Sequence, residues 1–196
     1  MESFELTREQ MMAERRMNAK KFLSDYFKDK DIDSAEAENI PLINIENLPS
    51  RYKEQIDLLH DPRLSSTLIA VVPEKIWTKS KQPSESNAEN DLVLFRADYL
   101  ESKDDAAWMS HELAHCLRFK DAPEQYKADS QTPAFDDVKS EYLYPNNKVE
   151  EYAFRRQFEF LKQEGLSREQ IIEKLKVDYQ EQTDFNFFDK LLDQLY

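Results

Sequence analysis

The stretch Ala106–Phe119, AAWMSHELAHCLRF, decides how the rest of the chain is read. It places His111 and His115 four residues apart, with Glu112 directly after the first; these are two of the chain's three histidines. On a helix, residues four apart lie about 40° apart around the axis and one turn along it, so two imidazoles can reach one point from a rigid frame. Ala106, Ala107, Trp108, Met109, Leu113, Ala114 and Leu117 surround them with apolar groups on nearly all sides, which marks a central, buried helix. Two histidines and a glutamate are costly in such a helix unless they are partnered. A metal ion is the better partner: His111 and His115 serve as ligands, and Glu112 stands beside the metal without binding it, where a general base takes a proton from metal-activated water.

A catalytic zinc commonly has three protein ligands and one position for water. The remaining histidine, His60 in LLHDPR, sits near an expected helix end, where the dipole favours a surface histidine. The better third ligand lies in Val149–Leu161, VEEYAFRRQFEFL. At about 100° per residue its apolar side chains share one direction, and Glu150 falls within roughly 40° of it, whereas Glu151 and Glu159 point almost the opposite way. A carboxylate aimed at the interior needs a cation. Ala153, one turn on, lets this helix approach the first closely. Asn147 to Glu150 is also a capping-box pattern, in which Glu150 would only satisfy a backbone N–H. Glu150 is taken as the third ligand, with Glu151 as the fallback.

Composition narrows the function classes. The 196 residues suit one domain over 1–196, with a helical part over 1–64, a core over 65–164 and C-terminal helices over 165–196. A charged fraction of 34% is offset by twelve Phe and nine Tyr, enough aromatic material for a core. The net charge of −13 disfavours nucleic acid and anionic membrane, which require an excess of Lys and Arg. A single glycine, Gly165, leaves no glycine-rich phosphate loop. One cysteine, Cys116, excludes an internal disulfide and suits a reducing compartment, and it reads as a core thiol. The opening MESFELTREQMMAERR has no apolar signal core, and no stretch reaches the roughly 20 apolar residues of a membrane span. These features point to a cytoplasmic protein.

The expected fold class is α+β, mostly helical, with a small sheet. Thr7 to Gln10 is a capping box opening a helix to about Asp29, and a second helix is expected through Ser50–His60. Ser66–Val72 and Asp91–Phe95 read as buried strands, and Thr78–Asn90 between them as an exposed loop. Ser102 and Asp105 suggest a capping box before a helix over Lys103–Phe119. A loop with Pro123, Pro133 and Pro145 follows. Helices are then expected over Asn147–Glu164, stopped by Gly165; over Arg168–Tyr179, opened by Ser167; and over Phe185–Leu195, opened by Asp184.

H-E-x-x-H followed by E-x-x-A on a later helix resembles the zincin metallopeptidases of the gluzincin type, and is similar to the minigluzincins and to repressor-cleaving peptidases of mobile elements. The resemblance spans about Asp91–Glu164. It implies a zincin-like fold and zinc held by His111, His115 and Glu150, with Glu112 as base and proton shuttle for zinc-bound water in peptide-bond hydrolysis. It also implies that a strand before the motif helix pairs with an extended protein or peptide substrate, a role that falls to Asp91–Phe95. The family often has Asp or Asn after the alanine to orient a histidine; here Phe154 stands there, so Asp121, Asp136 or Asp137 must substitute or zinc is held less firmly. Tyr142, Tyr144, Tyr152 and Arg155 are candidates to donate to the oxyanion. The loops Thr78–Asn90 and Lys120–Tyr144 are placed to cover the cleft and hold the protein latent. The rival expectation is a catalytically silent, zinc-stabilised module that binds a partner.

Overall fold

The structure, a computed structural model, describes residues 7–28, 32, 34–77, 82–102, 104–138, 144–179 and 185–196. It is built on a four-stranded sheet: β1 (Leu42–Asn44), β2 (Leu68–Val72), β3 (Ser84–Asn87) and β4 (Leu92–Arg96). The spatial order is β1-β2-β4-β3. β2 and β4 are parallel neighbours, with Ile69 opposite Val93 and Val71 opposite Phe95, while β1 and β3 pair antiparallel on the outside. Runs such as LIAVV and LVLFR form the inner strands because branched and aromatic side chains tolerate burial on both faces.

Period-two alternation divides those side chains between two cores. Ile69, Val93 and Phe95 face the core shared with α4 (Asp105–Asp121) and α6 (Lys148–Gln163). Leu68, Ala70, Val72, Leu92 and Leu94 face the opposite way, where Ala19, Leu23 and Phe27 of α1 (Arg8–Lys28) and Ala37 of α2 (Ser34–Glu38) cover them. The chain is therefore mixed α+β, with helices on both faces of the sheet. Asp91 ties the layers together from just before β4. Its backbone is left-handed at φ 53°, and its carboxylate accepts from Arg15 of α1 at 2.5 Å, from Thr67 at 2.7 Å and from Ser66 at 2.8 Å, with Lys120 of α4 at 2.7 Å.

The helical boundaries have local causes. α1 opens with the expected box: Thr7 N–H donates to Gln10 Oε1 at 2.8 Å and Gln10 N–H to Thr7 Oγ1 at 3.3 Å; Asp29 at its expected end lies outside the described residues. α6 stops at Gly165, whose φ of 87° supports a Schellman ending in which Leu166 N–H reaches Leu161 O. α7 (Arg168–Asp178) starts from a complete Ser167–Gln170 capping box. α8 (Phe185–Asp193) follows, and Asp184, expected as its cap, lies outside the described residues.

Several expectations are corrected. The Thr78–Asn90 segment is not simply a loop, because Ser84–Asn87 forms an edge strand against β4. Ser-Glu-Ser-Asn has little strand propensity, and the β4 ladder recruits it. The helix through Ser50–His60 breaks. α3 covers Ser50–Gln55, a 3₁₀ turn covers Asp57–His60, and Ile56 between them adopts an extended backbone as it turns into the core. The loop after α4 contains α5 (Pro123–Asp129). The Ser102–Asp105 box does not form: Ser102 Oγ is buried without a hydrogen-bond partner. Asp105 is drawn to other donors instead, accepting from Arg51 Nη2, Tyr52 Oη and Glu101 N–H, each at 2.6 Å.

Candidate metal centre

α4 is buried along thirteen consecutive residues, Asp105–Leu117, because it lies between the sheet and α6. Ala114 and Ala153 are both fully buried, and small side chains let the two helices run close. Close contact brings the inward carboxylate of α6 to the two imidazoles of α4. His111 Nε2 and His115 Nε2 are 3.2 Å apart; Glu150 Oε2 is 3.4 Å from the first, and Oε1 is 3.6 Å from the second. Among the described residues these three are the His/Cys/Asp/Glu group arranged to hold a metal, with ligand atoms all within 4.8 Å of one another.

The spacing and chemistry fit a divalent ion. Two nitrogens bound to one tetrahedral zinc lie about 3.3 Å apart, close to the spacing seen here. Glu150 Oε2 is buried with no hydrogen-bond partner, so three converging lone-pair groups lack enough donors between them. The electrostatics also favour a cation. Burial pushes the Glu150 carboxyl up, yet the imidazoles, His115 foremost, hold it well below the usual carboxylate range. Burial pushes His115 down, and Glu150 and then Glu112 override that and raise it. The pocket draws positive charge toward Glu150.

The geometry places each of the residues that the sequence left as alternatives. Asn147 does cap α6, its Oδ1 accepting from Val149 N–H at 3.1 Å and Glu150 N–H at 3.0 Å. The Glu150 carboxylate, however, faces the histidines, and Asn147 N–H donates to Pro145 O instead. Glu151 pairs with Arg155 at 3.1 Å, away from the group. His60 ends its 3₁₀ turn outside the group.

Supports for the histidines differ from those expected. Asp121 pairs with Arg63, Asp137 with Lys190, and Asp136 is exposed, so none orients a histidine. The hydroxyl of Tyr126, on α5, lies 3.1 Å from His115 Nδ1 instead. A tyrosine eleven residues on, inside a predicted loop, carried no sequence signal for this role. His111 Nδ1 is buried and has no hydrogen-bond partner. Its ring packs edge-on against Phe154, with centroids 4.4 Å apart. Phe154 therefore positions His111 by contact where a polar residue would do so by hydrogen bonding.

The three groups open into a cleft of about 240 Å³. Glu112 lines it, buried, with Oε1 accepting from Ser84 Oγ of β3 at 2.9 Å. Among the described residues it makes no ion pair. Tyr144 and Tyr179 line the other wall beside Trp108. Burial, and then Tyr144, push the Tyr179 phenol well above its ordinary range, whereas Tyr144 is itself 41% exposed. Both stay protonated and able to donate. Gln82 Nε2 donates to Tyr144 Oη across the cleft at 2.7 Å. Of the other oxyanion candidates, Tyr152 lies under Arg118 and Arg156, Arg155 is bound to Glu151 and Gln194, and Tyr142 lies outside the described residues. Tyr179 was missed because only the fold carries it from α7 to this wall. Cys116 is fully buried and its thiol is pushed up by burial, a core group.

Among the described residues, no helix is long and apolar enough to cross a membrane. A comparison of the chain with family models, with curated proteins and with solved structures finds no match in any of the three.

Proposed function

We propose that this chain is a zinc-dependent metallopeptidase of zincin type, acting on protein or peptide substrates in a reducing, cytoplasmic setting. The observation that carries this reading is the convergence of His111, His115 and Glu150 beside a buried Glu112 in one open cleft. No fourth His, Cys, Asp or Glu joins the group among the described residues, in keeping with a centre that keeps a position for reactants. A bound zinc would supply Lewis acidity toward the peptide carbonyl and acidify water.

The chain's own residues do the rest. Ser84 holds one oxygen of Glu112, leaving the other to accept the proton of the attacking water and pass it to the leaving amine. Tyr144, held by Gln82, offers a neutral hydroxyl to the developing oxyanion, with Tyr179 adjacent at 3.5 Å. The strand expected to pair with substrate, β4, is flanked on both sides by β2 and β3. That role passes to the edge strand β3, whose Ser84, Glu85 and Ser86 line the cleft.

A Glu112→Gln variant tests the reading. It is expected to keep one zinc per chain by elemental analysis while casein hydrolysis falls by roughly 10²–10⁴-fold. Full activity in the zinc-loaded variant sinks the base assignment, and wild-type protein that binds no zinc sinks the whole reading.

A further inference from the structure

A second concavity, about 920 Å³, lies at the opposite end of α4 from its last turn, between α3, α6 and α7. Apolar side chains line its floor: Ala106 and Ala107 of α4 and Phe160 and Leu161 of α6, each no more than 9% exposed, with the half-buried Leu166. One long wall is a single face of α7, where Glu169, Gln170, Glu173, Lys174 and Val177 recur at helical spacing over about 12 Å. Val177 stands at its end, 78% exposed although apolar.

The rim carries a charge imbalance. Its cations are internally spent: Arg51 binds Asp105 at 2.6 Å and Lys174 binds Asp104 at 2.6 Å. Among the described residues Glu101, Glu164 and Glu169 make no ion pair, and the pair of Glu173 to Lys176 is solvent-exposed on both sides. An apolar floor takes apolar side chains, and an acidic rim takes cations. Nucleic acid and anionic lipid would be repelled, and a neutral apolar ligand would leave the rim charges unanswered.

We propose that this groove docks a basic amphipathic segment of a partner protein, about two helical turns long. Its apolar side chains rest on Phe160, Leu161, Leu166 and Val177, and its Lys and Arg side chains reach Glu164, Glu169 and Glu173. The site is separate from the metal cleft, and the proposal does not depend on the peptidase reading.

Fluorescence anisotropy on the full chain tests it, using a labelled Leu/Lys amphipathic peptide of about fourteen residues and its Leu/Glu counterpart. The Leu/Lys peptide is expected to bind and the Leu/Glu peptide not. A Glu164→Lys/Glu173→Lys variant should weaken binding roughly tenfold. Val177→Asp should weaken it too, although it adds negative charge, while Glu124→Lys on the distant α5 should leave it within about twofold. All four positions are exposed, so the variants should keep the wild-type melting temperature. The proposal is overturned if the Leu/Lys peptide does not bind. It is equally overturned if Glu124→Lys weakens binding as much as the double variant, if Val177→Asp leaves it unchanged or tighter, or if spermine displaces the peptide at equal charge concentration.

Discussion

At the scale of single residues, the candidate centre depends on side chains whose roles follow from what they face. His111 and His115 are supported unequally: one by the Tyr126 hydroxyl, the other by the Phe154 ring. A partner on the far ring nitrogen of a ligating histidine is commonly worth 10–100-fold in metal affinity. Tyr126→Phe is therefore expected to weaken zinc binding by roughly that factor, measured by competition with a chromophoric chelator, with the circular dichroism spectrum unchanged. An unchanged affinity would mean that Tyr126 only packs. Asp178, the last residue of α7, offers a pH-dependent test. Partial burial, with Asp104 nearby and Lys174 opposing, raises its carboxyl to about 6. Because the folded value lies above the unfolded one, the fold favours the protonated form. Stability from this group is complete below about pH 4 and is lost as pH rises through about 6. Asp178→Asn should match wild type near pH 4 and exceed it above pH 6.5 by about 1 kcal/mol, solvent screening keeping the gain small. Urea denaturation at the two pH values checks this, and an equal difference at both would refute it.

At the scale of elements, each helix that shapes the centre is set by a few specific contacts. α4 begins where Asp105 gathers Arg51, Tyr52 and Glu101 N–H, which ties its first turn to α3. Asp105 is 2% exposed, so removing its carboxylate leaves the buried Tyr52 hydroxyl and the Glu101 N–H without their acceptor, while Arg51, 40% exposed, keeps Tyr52 Oη and solvent. Asp105→Ala should cost about 2–4 kcal/mol in chemical denaturation, whereas Tyr52→Phe should cost about 1–2 kcal/mol. Comparable small losses for both would show that the network is not a unit. The long, periodic elements were legible beforehand: α1, α4, α6, α7 and α8 fall near their expected ranges because their apolar spacing is unambiguous. β3 and α5 were not. Ser84–Asn87 has no strand composition, and Pro123–Asp129 is too short for its pattern to stand out in a proline-marked loop. Those two unannounced elements supply Ser84 to Glu112 and Tyr126 to His115.

At the scale of the whole molecule, the centre joins segments far apart in sequence, so a bound metal should behave as a cross-link. Any ion that binds the folded chain and not the unfolded one stabilises it by mass action, by about 4 kcal/mol at a thousandfold excess over Kd. Zinc should thus raise the melting temperature by several degrees, chelation should reverse it, and Glu150→Gln should abolish most of the shift. A zinc-induced shift unaffected by Glu150→Gln would place the ion elsewhere. The HELAH spacing and the inward phase of Glu150 were determined by the sequence alone, because helical periodicity fixes which side chains share a face before any packing occurs. The sequence likewise determined the two inner strands, whose apolar runs have no other home. Only the tertiary structure decided the two strands at the sheet edges, the tyrosines that enter the cleft, and the ring that supports His111. Those choices depend on contacts between residues tens of positions apart, and local propensity carries no information about them.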